Sequence, residues 1–181
     1  MYKWIIAIVV LVILYLISLY NSLIRANVRV DNAWAQIDVQ LQRRNDLIPN
    51  LVESVKGYAA HEKSTFVEVI NARAGALKAR TPSEISDSEE AISKALGKLL
   101  AVAEAYPDLK ANSNFMQLQQ ELANTESRIS FARNYFNESV QMFNTKIQTF
   151  PTNFFAKQMS FKKREFFEAD VASRTSPKIK F

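Results

Sequence analysis

The stretch FMQLQQELANTESRISFARNYFNESVQMFNTKIQTFP, residues 115–151, decides the fold of this 181-residue chain. Its apolar or small residues return at steps of three and four: Phe115, Leu118, Leu122, Thr125, Ile129, Ala132, Phe136, Val140, Phe143, Ile147 and Phe150. A seam with a spacing of about 3.5 residues belongs to a helix packed in a bundle or coiled coil. Asn112, Ser113 and Asn114 are all able to cap its start, and Pro151 ends it. One apolar seam on so long a helix has to be covered by other helices, so the stretch predicts an all-α chain.

The same periodicity appears upstream. Val30, Trp34, Ile37, Leu41, Ile48, Leu51 and Val55 form a second seam, with Arg44 in the position between Leu41 and Ile48. Pro49 falls inside this pattern without shifting its phase, which favours a kinked helix over a broken one. The alternative is a break at Pro49, because proline pushes the residue before it out of the helical region. The helix is expected to run on through Phe66, Ile70 and Leu77 towards Arg80. Thr81-Pro82-Ser83-Glu84 then reads as a capping box with proline at the first helical position, and Ser86 with Glu89 offers a second box. Ile92, Leu96, Leu99 and Val102 follow, to a stop near Tyr106-Pro107. No stretch alternates with a period of two, and three glycines are few for a protein of tight hairpins.

Between Lys3 and Arg25 lie 21 uncharged residues rich in Ile, Val and Leu. About 20 such residues cross a hydrocarbon core of ~30 Å. Trp4 and Tyr20 sit where interfacial aromatics are expected, and Arg25 closes the run. The run is longer than a secretory signal core and lacks a small-x-small cleavage site, so it is expected to remain as an anchor. The expected organisation is therefore a transmembrane anchor over 1–25, an antiparallel up-and-down helical bundle over 26–150, and an aromatic, basic tail over 151–181. The bundle has three long helices, or four if the first breaks at Pro49.

Charge placement narrows the function. Residues 26–149 carry 14 Lys or Arg against 15 Asp or Glu, whereas residues 150–181 carry 7 against 3. A near-neutral body lacks the basic face that nucleic acid requires, so no nucleic-acid partner is expected. With no cysteine and a single histidine, His61, thiolate metal sites and cysteine nucleophiles are excluded. A di-iron helical site needs two Glu-x-x-His pairs, and Tyr58 stands three residues before His61. No nucleophile elbow, phosphate loop or HExxH pair is present. The expectation is a non-enzyme with no cofactor, no metal and no small-molecule substrate.

Two features remain. Arg44 in a seam has to find an acid or snorkel, since an unpaired buried charge costs several kcal/mol. Asp38, Arg44, Glu126 and Arg133 are the candidate interhelical polar network, joining the run 38–53 to the run 121–137. In the tail, Phe154, Phe155, Phe166 and Phe167 interleave with Lys162, Lys163 and Arg164. Such a segment suits a membrane interface or a partner, where rings enter the headgroup layer and cations meet anionic lipid. The competing reading packs these rings back onto the bundle.

Three stretches resemble the LemA family of bacterial membrane proteins: AWAQIDVQLQRRNDLIPNLVESVKGYAAHE at 33–62, AEAYPDLKANSNFMQLQQELANTESRI at 103–129, and residues 135–151. The closing Pro177-Lys178-Ile179-Lys180-Phe181 is similar as well. The resemblance implies an N-terminal transmembrane helix, an up-and-down bundle and no catalytic residues. Where the family usually has tyrosine before asparagine, this chain has Phe136-Asn137 and Phe143-Asn144. The expected role is a single-pass adaptor or scaffold of the bacterial inner membrane, binding itself or other membrane proteins. The flanking charges lean towards a cytoplasmic domain. The alternative is a protein that shapes or senses the bilayer through its tail.

Overall fold

The computed structural model describes residues 2–167, so the LemA-like ending at 177–181 lies outside the described residues. Six helices follow in order: α1 (Tyr2–Lys56), α2 (Lys63–Ala76), α3 (Pro82–Glu104), α4 (Pro107–Lys110), α5 (Ser113–Gln148) and α6 (Thr152–Gln158). No strand occurs among the described residues, and the chain is all-α with a long apolar N-terminal helix.

Pro49 lies inside α1 and does not break it. A mid-helix proline leaves the carbonyl four residues earlier without its amide donor. That carbonyl belongs to Asn45, and Arg73 of α2 donates to it from Nε at 2.8 Å. The orphaned acceptor is thus satisfied from a neighbouring helix.

The expectation that this helix continues towards Arg80 is corrected: α1 ends at Lys56, and a turn over 57–62 precedes α2. Tyr58 and Ala59 both donate their amides to the carbonyl of Val55, which tightens and closes the last turn. Gly57 weakens the helix at this point. Ala59 is buried, and so are Phe66 and Val69, while Ile70 and Leu77 face outward.

The described residues fall into two compact units. Unit 1 comprises residues 2–36 and 132–166. Here α1 and α5 run antiparallel: Ser22 meets Lys146, Arg29 meets Met142, and the Trp34 ring lies 5.3 Å from that of Phe136. After α6, Ser160 takes a left-handed φ of 57°. The amides of Ser160 and Phe161 donate to the carbonyls of Lys157 and Ala156, a Schellman closure that reverses the chain. Asn144 then holds the returning strand of tail at both backbone groups of Arg164, at 2.8 and 2.9 Å. Phe161 packs edge-on against the buried Phe143.

Unit 2 comprises residues 37–131 with Phe167. Its core joins Ile48, Leu51 and Val55 of α1 to Phe66 and Val69 of α2, Ile92, Leu96 and Leu99 of α3, Leu109 of α4, and Phe115 and Leu122 of α5. Of the two capping boxes that the sequence offers, α3 starts at the first, and Ser86 and Glu89 lie inside the helix. Thr81 Oγ1 accepts from the Glu84 amide at 3.2 Å, and Glu84 Oε2 accepts from the Thr81 amide at 3.1 Å. Asn112 caps α5 by accepting the Phe115 amide at 3.1 Å, and its Nδ2 donates to the Tyr58 hydroxyl at 3.2 Å.

Candidate functional site

The charged centre of unit 2 is Arg44, which is 2% exposed. Its Nη1 donates to Glu89 of α3 and, at 3.0 Å, to Glu126 of α5, while Nη2 donates to Ser93 at 2.8 Å. Glu89 is buried and Glu126 half-exposed, so one guanidinium ties three helices together. Beside it, Arg43 pairs with Glu121 at 2.6 Å on the exposed flank. The guanidinium is thereby paired within the protein, and Glu89 also borders a small cavity.

Asp38 does not reach Arg44. It lines a polar cavity of about 260 Å³ with Asn45, Asp46 and Arg80. That volume falls below the usual 300–1,000 Å³ range of small-molecule sites. Arg133 belongs to unit 1, half-buried on α5. Glu89 was not anticipated as a partner, although its signal was present. Extending the α3 seam backwards from Ile92 and Ile85 places Glu89 in a core position, as Arg44 is in α1. Two opposite charges in two apolar seams are a pair waiting to be read. At the head of the same helix, the Glu84 carboxyl is held below the ordinary glutamate range by the Arg80 amide first and the Thr81 amide second.

In unit 1 the apolar run of α1 is exposed from Trp4 to Ser18 and again at Tyr20, whereas Leu23 near its end is buried. It is long and apolar enough to cross a membrane. Beyond it, α1 and α5 form an open cavity of about 700 Å³, lined by Ser22, Arg25, Arg29, Glu138, Met142 and Lys146 among others. Lys146 Nζ donates to Ser22 Oγ at 2.6 Å, which brings the end of α5 to the end of the apolar run.

The tail residues divide. Phe154 is exposed, its ring edge-on to that of the half-buried Phe155. Lys162, Lys163 and Phe166 are exposed. Arg164 is committed to Asp31 at 2.7 Å and Asn27 at 3.1 Å. Phe167 is 2% exposed, so the expectation that it faces a membrane or partner is corrected: its ring is buried as core.

These features define an all-helical, membrane-associated protein with an N-terminal helix of membrane-spanning length. The sequence pattern of the LemA family matches residues 33–181. The chain belongs to the LemA family. It is 26% identical over 193 residues to magnetosome protein MamQ 2 of Paramagnetospirillum magneticum, covering 92% of this chain and 71% of that protein. Magnetosome protein MamQ of Magnetospirillum gryphiswaldense is 25% identical, over 88% and 68% of the two chains. Protein LemA of Metamycoplasma hominis is 27% identical, over 85% and 71%.

Proposed function

We propose that this protein is a non-enzymatic, single-pass adaptor of the inner membrane, anchored by residues 1–25, that docks a helix of another membrane protein on unit 2. The observation that carries this reading is an outward stripe on α2. Val67, Ile70 and Leu77 are 56%, 54% and 47% exposed, and with Ala74 they recur at steps of three and four. The adjoining face of α2 already supplies Phe66 and Val69 to the core. A helix apolar on both faces is normally covered on both. Ala74 permits close approach of a second helix.

Charge supports a foreign partner over a second copy. Lys63 and Lys78 stand exposed at the two ends of the stripe, and no acid lies within it. Symmetric pairing of two copies brings these lysines together, in parallel or antiparallel order. The fitting occupant is an amphipathic helix with acidic flanks. A photo-crosslinking residue at Ile70 of the full-length protein in cells, read by mass spectrometry, tests this. A reproducible foreign protein with such a helix supports the adaptor; predominantly self-to-self products replace it with a scaffold.

A second reading is favoured by Phe150 and Phe154, both largely exposed in the unit that holds the apolar run. Here the aromatic, basic tail engages lipid and shapes or senses the bilayer. Lipid adducts alone from a probe at Phe154 raise it above the adaptor.

A further inference from the structure

The cavity of unit 1 sits where a membrane surface falls if α1 spans the bilayer. The uncharged run ends at Ile24, and the cavity is lined by Ser22 and by Arg25 and Arg29 on the next turns. Arg25 and Arg29 are four residues apart and therefore on one face of α1. Both are exposed, and among the described residues neither forms an ion pair. Arg29 Nη1 meets the sulfur of Met142 at 3.8 Å, a weak acceptor for a guanidinium. Lys146 adds a third cation, held in place by Ser22.

The cavity has one acid, Glu138, and its position is informative. Ser22 is opposite Lys146 and Arg29 is opposite Met142, so Glu138 lies one turn further along α5, away from the apolar run. The end of the cavity nearest the run is purely cationic, with the hydroxyls of Ser22 and Thr145 beside it. Two planar guanidiniums, an ammonium and neutral donors are the chemistry that recognises phosphate oxygens.

We propose that this cavity binds a phosphate-bearing anion, supplied by the headgroup of an anionic phospholipid. The acyl chains then lie along the exposed apolar face of α1, and the phosphate neutralises Arg25 and Arg29. The site rests on α1 spanning the bilayer and is independent of the α2 stripe. Arg164 takes no part, being committed to Asp31.

The test uses the full-length protein in detergent micelles, with native mass spectrometry of retained lipid. The probes are phosphatidylglycerol, phosphatidylcholine and inorganic phosphate. Carbonate extraction of the same variants from membranes checks anchoring separately, and failure there sinks the spanning reading itself. Phosphatidylglycerol is expected to be retained selectively. Loss of two cations in Arg25→Gln/Arg29→Gln is expected to weaken it about 25-fold, at about five-fold per charge. Both side chains are exposed, so helicity and melting are expected to be unchanged. Glu138→Gln removes the opposing charge and is expected to tighten retention by about two- to five-fold. Equal retention of phosphatidylcholine, or no response to either variant, overturns the site. Inorganic phosphate binding as tightly as phosphatidylglycerol overturns the lipid source.

Discussion

Each unit receives arginines from α1 and treats them in opposite ways. In unit 2, Arg44 is buried and meets two carboxylates and a hydroxyl. In unit 1, Arg25 and Arg29 remain exposed and without carboxylate partners among the described residues. The difference follows from solvation. A guanidinium removed from water has to be paired within the protein, whereas one left in water can wait for a ligand. The buried arginine therefore reads as architecture and the exposed pair as a site.

The contrast is broken or sharpened first by paired core variants. Phe143→Ala in unit 1 and Arg44→Ala in unit 2 are each expected to cost about 3–5 kcal/mol. Hydrogen exchange of the full-length protein is expected to loosen α5 amides of unit 1 in the first and α3 amides of unit 2 in the second. If both variants loosen both units equally, the two are one cooperative structure and the comparison fails. Arg44→Met/Glu89→Leu removes both buried charges together and is expected to melt near the wild type, because Glu126, the carboxylate left behind, is half-exposed and stays solvated.

The next effect concerns the proline. Arg73→Leu strips the Asn45 carbonyl of its donor and is expected to destabilise by about 1–3 kcal/mol in chemical denaturation. A change under a few tenths would mean that water replaces Arg73 at Pro49.

The capping box gives the smaller effects. Thr81→Ala is expected to cost about 1 kcal/mol at neutral pH. Glu84 has a lowered pKa in the folded chain, so its contribution is complete above the ordinary glutamate value. It fades as pH falls below about 4.3 and is lost once pH passes the lowered folded value. Glu84→Gln is expected to flatten that limb of a stability–pH profile, and an unchanged limb would assign it to other carboxylates.

Much of the architecture was legible. The α5 seam up to Ile147, a capping box before α3 (Thr81 of two candidates), a cap before α5 (Asn112 of three) and the passage of α1 through Pro49 all rest on local periodicity or local hydrogen bonding. The turn at 57–62 was not legible, for a reason visible in its neighbours. Val55, Ala59, Phe66 and Val69 keep the spacing of an unbroken seam, so the interior phase runs through the turn and conceals it. Continuing the helix through Ile70 and Leu77 then put outward residues on the inward face. The candidate site was half legible. Arg44 and Glu126 meet, but the buried Glu89 comes from α3, where the sequence offers it as a capping residue with Ser86.

The sequence alone determined the all-helical class, the apolar N-terminal run, the absence of cysteine and that Arg44 sits in an apolar seam. These follow from composition and from spacings within one helix, where i to i+4 neighbours are fixed by geometry. Only the tertiary structure decided which acid Arg44 takes, that Arg73 serves the carbonyl behind Pro49, and that Asn144 folds Arg164 back along α5. It also decided that α2 has an uncovered apolar face and that Lys146 returns to Ser22. The contacts among these join residues from 20 to 124 positions apart. Their meeting depends on where α1 ends and how the chain turns, which no single helix encodes.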